Sequence, residues 1–153
     1  MHLAILALLI GIIAGLRALT APAAVSWAAR LGLLQLTGTH LAFLGAVVTP
    51  WIFSVLALAE IINDKLPKTP SRLVPPQFIT RVVTGAFSGA AIGLGLGSIW
   101  IGLLCGAIGA VLGTLGGASF RGALAKAIGK DLPAALIEDA IAIIGAYLIV
   151  THI

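Results

Sequence analysis

The sequence predicts an all-α, polytopic membrane protein, and three observations carry that expectation. Hydrophobic residues make up 60% of the chain and charged residues only 9%, whereas a soluble domain is roughly 25% charged and needs that charge to cover its surface. Several apolar runs approach the roughly 20 residues that an α-helix needs to cross a bilayer core. Seven of the nine Lys and Arg fall in two short segments that follow such runs, the pattern of cytoplasmic loops. At 153 residues the chain is one membrane domain.

The elements follow in order. Residues 3–19 read as a first span ending near Arg17; no cation precedes it, the reverse of a secretory signal, so it is expected to be retained. Residues 21–36 are apolar but short and carry Arg30. Thr20 is placed to cap this piece and Pro22 lies in its first turn, where a missing N–H does no harm. It is a short span, a re-entrant helix or an interfacial one. Residues 41–63 form a span with Pro50 near the middle, where a kink is expected. Residues 64–76 are a Pro-rich polar loop, 78–97 and 99–118 are two spans, and 119–131 is a short basic segment. The last span is 132–151, with Asp131 as its expected N-cap. The total is five to six transmembrane helices with one or two short re-entrant or interfacial helices. Charge asymmetry puts loops 64–76 and 119–131 in the cytoplasm, for a protein of a cell's inner (plasma) membrane.

Residues 85–117 hold 11 of the 19 glycines. Gly85, Gly89, Gly93 and Gly97 recur every four residues, as do Gly109, Gly113 and Gly117. Such stripes let helix backbones approach closely in lipid. They are expected to pack the two helices together, or to form the seam of a homo-oligomer, with a dimer favoured. A faint echo links AGLRA at 14–18 with ASFRG at 118–122, each followed by a Pro-started helix; with the short piece not crossing, this would be an inverted repeat of the kind transporters use.

Charges inside a span are costly, so they face the protein interior or water and pair with one another. Glu60 and Asp64 share a helix face, Glu138 and Asp139 lie inside the last span, and Arg17, Arg81 and Arg121 lie near span ends. These seven are the candidate substrate or ion site. Arg17 and Arg121 suit a phosphate or carboxylate through their guanidinium forks, and Glu60 and Glu138 would hold them when the site is empty. A bland alternative is structural: Glu60 pairs with one arginine, Arg17 or Arg121, and Glu138 with another, and the pairs fix helix register.

The leading function is a small transporter or flippase for an anionic substrate, possible proton coupling included. The alternatives are a cation channel or carrier using four acidic residues, and a non-transporting scaffold or assembly protein. No HExxH, GxSxG or phosphate-loop pattern occurs, so no enzyme, metal or cofactor is expected. The basic residues follow apolar runs and form no stripe, so the expected partner is the lipid bilayer and not nucleic acid.

GLR at 15–17, Glu60 with DKLP at 64–67, RVVTGA at 81–86, and Arg121 followed by ED at 138–139 together resemble a family of small bacterial integral membrane proteins catalogued as a domain of unknown function. The chain departs from that family's pattern around 117–133. The resemblance implies the membrane class and the same seven charged positions, and it implies no activity.

Overall fold

The computed structural model describes residues 2–66 and 73–153. They form six α-helices: α1 (His2–Leu16), α2 (Thr20–Arg30), α3 (Thr49–Asp64), α4 (Pro75–Leu96), α5 (Ile99–Ile128) and α6 (Asp131–Thr151), with a 3-10 turn at Ala42–Gly45. No strand occurs among the described residues. Three helices, α4, α5 and α6, are long and apolar enough to cross a membrane; α1 is apolar but shorter. The expected count of five to six spans therefore does not follow from helix length alone.

The core is a trio of α1, α4 and α5, and their shared surface is backbone. The carbonyl oxygen of Gly106 on α5 lies 2.2 Å from where a Cβ on Gly11 of α1 would stand. On its other side, a Cβ on Gly106 would stand 2.2 Å from the Gly85 oxygen of α4. Gly89 and Gly93 continue the contact against Gly102, while Gly109 and Gly113 meet Leu8 and Ile12 of α1. So α5 carries two small-residue faces, one for each neighbour. These faces are used up inside one chain, which removes them as a seam between copies. Gly117 is buried on α5. Gly97 belongs to no stripe: it ends α4 in a left-handed conformation at φ 110°, which glycine adopts without strain.

Helix directions follow from these contacts. Leu8 and Ile12 pair with Gly109 and Gly113, so α1 and α5 run parallel. Gly85 lies by Gly106 and Gly93 by Gly102, so α4 runs against α5. Gly145 packs on Ile13 and His2 meets the carbonyl of His152, so α6 runs against α1. The turn after α2 places Leu34 against Gly95, near the far end of α4. The echo at 14–18 and 118–122 thus joins helices of one direction, and the expected inverted repeat is not present.

Six further expectations change. The first helix stops at Leu16, leaving Arg17 in a break before α2. Thr20 is the first residue of α2, with Leu19 at the cap and no side-chain cap bond. Pro50 lies in the first turn of α3, where it starts the helix instead of kinking it. The basic segment 119–131 is not a loop: α5 runs through Arg121 and Lys126 to Ile128, and stops at Gly129 with φ 85°. Lys130 takes the cap position that Asp131 was expected to fill. The expected loop 64–76 narrows, since α3 includes Asp64 and α4 starts at Pro75; its residues 67–72 lie outside the described part.

An ion-pair chain at a helix break

The break between α1 and α2 creates the site. Two helix ends meet there, one with bare carbonyls and one with bare N–H groups. Arg81, from α4, donates through Nη1 to the carbonyls of Gly15 and Leu16, each at 2.8 Å. Glu60, from α3, accepts the backbone N–H groups of Ala18 and Leu19 on its two carboxylate oxygens, each at 2.8 Å. The charge signs match the ends they bind: a cation at the carbonyl end of α1 and an anion at the N–H end of α2. Arg81 Nη2 and Glu60 Oε1 are 3.8 Å apart, so the pair straddles the break.

Arg17 occupies the break itself and is fully buried, with 0% exposure. Its Nε donates to Asp139 Oδ1, and its Nη2 lies 3.0 Å from Asp64 Oδ2 and 3.8 Å from Glu138 Oε2. Asp64 Oδ2 also accepts from Arg121 Nη1 at 2.6 Å. Arg121 grips Asp131 through two bonds, Nε to Oδ1 at 3.1 Å and Nη2 to Oδ2 at 2.8 Å, and stands 3.6 Å from Glu138. At the other end, Asp139 bonds Lys65, whose Nζ also caps the Ile61 carbonyl of α3 at 3.1 Å. The result is a row of alternating charge: Lys65, Asp139, Arg17, Asp64, Arg121, Asp131.

All five acidic residues of the chain (Glu60, Asp64, Asp131, Glu138 and Asp139) enter this cluster. Among the described residues four cations join them: Arg17, Lys65, Arg81 and Arg121. With every group ionised the described cluster carries −1, from four cations and five anions. Burying the charges singly would be prohibitive; pairing them with several hydrogen bonds each makes burial tolerable.

All seven expected site residues therefore lie in one cluster, but with different partners from those expected. Arg17 pairs with Asp139 and Asp64, not with Glu60. Glu60 holds backbone N–H groups and not an arginine fork. Lys65 and Asp131 are members that sequence reasoning left out. Lys65 was legible as the residue ending an acidic helix, where a cation caps carbonyls; Asp131 was read only as a cap. Among the described residues, no group of three or more His, Cys, Asp or Glu is arranged to hold a metal. The chain matches no protein-family model, no curated protein and no solved structure.

Proposed function

We propose that the protein is a small multi-pass carrier of an anionic, carboxylate- or phosphate-bearing substrate in a cell's plasma membrane. The observation that carries this reading is Glu60 at the helix break. Its carboxylate rests on two backbone N–H groups at a helix start, 3.8 Å from the Arg81 guanidinium. Discontinuous helices in transporters direct such N-termini at the anionic group of the substrate. Glu60 is then the chain's own stand-in for that anion, and an incoming carboxylate or phosphate displaces it. Protonation of the displaced Glu60 would couple a proton to the movement. Cation conduction is less favoured, because each carboxylate in the cluster already faces a Lys or Arg of the chain or a backbone N–H.

In this reading the chain crosses six times, since the six helices alternate in direction and α2 with its following turn reaches the level of Gly95. The end bearing Lys65, Arg121, Lys126 and Lys130 is cytoplasmic. Both chain termini then lie outside, as His2 and His152 are in contact. Epitope tags on the two termini are expected to be accessible together on intact spheroplasts; a tag exposed only after lysis overturns this orientation.

The stand-in role is tested with Glu60→Ala. Removing the carboxylate leaves two N–H groups without their acceptor and costs about 1–3 kcal/mol. Acetate or inorganic phosphate at high concentration is expected to restore much of the lost melting temperature in the variant and to leave the parent unchanged. Equal responses in parent and variant, at matched ionic strength, would mean that the break does not take an exogenous anion.

A further inference from the structure

A groove of about 490 Å³ runs between α2, α3 and α6. Its walls are Ala23, Ala24 and Trp27 of α2, Ala57 of α3 and Ala146 of α6, among other apolar residues. Leu58 and Tyr147 at its rim are largely exposed, so the groove opens sideways, toward the membrane interior in a polytopic chain. The α2 wall runs from Thr20 to Leu31, about 16 Å at 1.5 Å per residue. That is the depth of one leaflet, about half of a 30 Å hydrocarbon core.

The two ends of the groove differ. At one end Thr20 lines the wall, 8% exposed and with its hydroxyl lacking any hydrogen-bond partner. A buried hydroxyl without a partner is uncommon and calls for one. At the same end Ile61 lines the wall while its carbonyl holds the ammonium of Lys65. The rest of the wall is apolar apart from the hydroxyls of Ser54, Tyr147 and Thr151.

We infer that this groove holds one acyl chain of an anionic phospholipid from the cytoplasmic leaflet, with the ester linkage at Thr20 and the phosphate beside Lys65. The depth of the groove, one leaflet and not two, favours a lipid chain over a membrane-spanning helix from a second copy. The inference shares only the membrane placement with the carrier reading and goes beyond it.

Trp27 reports the occupant. Trp51→Phe and Trp100→Phe leave it as the sole tryptophan of the chain, which has three. Phosphatidylglycerol with brominated acyl chains is titrated into the detergent-solubilised protein, and brominated phosphatidylcholine serves as the neutral comparison. The expected result is saturable quenching of Trp27 at least fivefold more sensitive to the anionic lipid. Ala24→Phe, which fills the groove from α2, should remove most of the quenching, and Thr20→Val, which takes away the hydroxyl at the ester, should weaken quenching by both lipids. Ala146→Phe fills it from α6 and is read in the same way if the first variant does not fold. Equal quenching by both lipids, or undiminished quenching in a folded groove-filling variant, overturns the inference. Quenching without substrate flux sinks the carrier reading and leaves the groove standing; flux without quenching does the reverse.

Discussion

Gly106→Ala is expected to cost at least about 3 kcal/mol, beyond the usual 1–3 kcal/mol of an overpacked core. The added Cβ would stand 2.2 Å from the Gly85 oxygen and 2.9 Å from the Gly89 Cα. Both obstacles are backbone, so no rotamer change relieves them. Gly106 also presents its own carbonyl to Gly11, and moving α5 away from α4 presses it into α1. Against a typical total stability of 5–15 kcal/mol, the variant should melt many degrees lower or fail to accumulate. Gly116→Ala is the control, because nothing lies within 4 Å of a Cβ there. It should be neutral or gain about 0.5–1 kcal/mol from the preference of alanine for helix. Equal melting temperatures for the two variants, measured in one detergent, would show that backbone contact does not hold the trio together.

The glycine stripes show what periodicity reveals and what it hides. Spacing by four residues marked Gly85, Gly89 and Gly93 as one face, and in the structure that face meets α5. The opposing face on α5 was harder to see, because Gly102 and Gly106 are continued by Ala110 and not by another glycine. Counting alanine as a small residue extends the stripe and separates it from Gly109 and Gly113, which serve α1. Pro50 was misplaced for a different reason. The apolar residues before it look like helix, yet a proline is best tolerated in a first turn, and it marks the start of α3. Along α5, cations at 121, 126 and 130 suggested a loop. The intervening Ala and Leu are strong helix formers, and only Gly129 stops the helix.

The site was legible in its members but not in its pairing. Five acids in an apolar chain have to find partners, and that reasoning places Arg17, Glu60, Asp64, Arg81, Arg121, Glu138 and Asp139 together. Which cation meets which anion depends on where α1 stops, and no local signal gives that point. The run from residue 3 to 19 contains no proline and has glycine only at positions 11 and 15. The break is imposed by tertiary bonds: Arg81 takes the carbonyls of 15 and 16, and Glu60 takes the N–H groups of 18 and 19. Those bonds join residues more than 40 positions apart in sequence, beyond the reach of pattern reading.

Arg17→Met is expected to lower stability by about 3–5 kcal/mol, the cost of breaking a buried ion pair from one side. It takes from Asp139 and Asp64 a cation that each shares, leaving Lys65 and Arg121 beside them, and makes the cluster more negative by one charge. Asp139→Asn errs in the opposite direction: Arg17 keeps Asp64 and the more distant Glu138, and Lys65 loses its carboxylate. The double variant, Arg17→Met with Asp139→Asn, removes one charge of each sign and leaves the net charge of the cluster unchanged. Replacing both partners of a buried pair is often neutral, so the double variant should recover most of the stability lost in the Arg17 single variant. A coupling well above the 0.5 kcal/mol scatter of independent sites would identify Arg17 and Asp139 as direct partners. The same preparation then separates the rival roles of the cluster. A structural lock predicts that a stable double variant keeps full activity in reconstituted vesicles. A substrate site predicts normal melting and reduced anion flux, because the break keeps Arg81 beside Glu60 but loses the guanidinium of Arg17 that fills it. Full flux through a stable double variant would overturn the carrier reading and leave the ion-pair chain as a device for holding α1, α3, α5 and α6 in register.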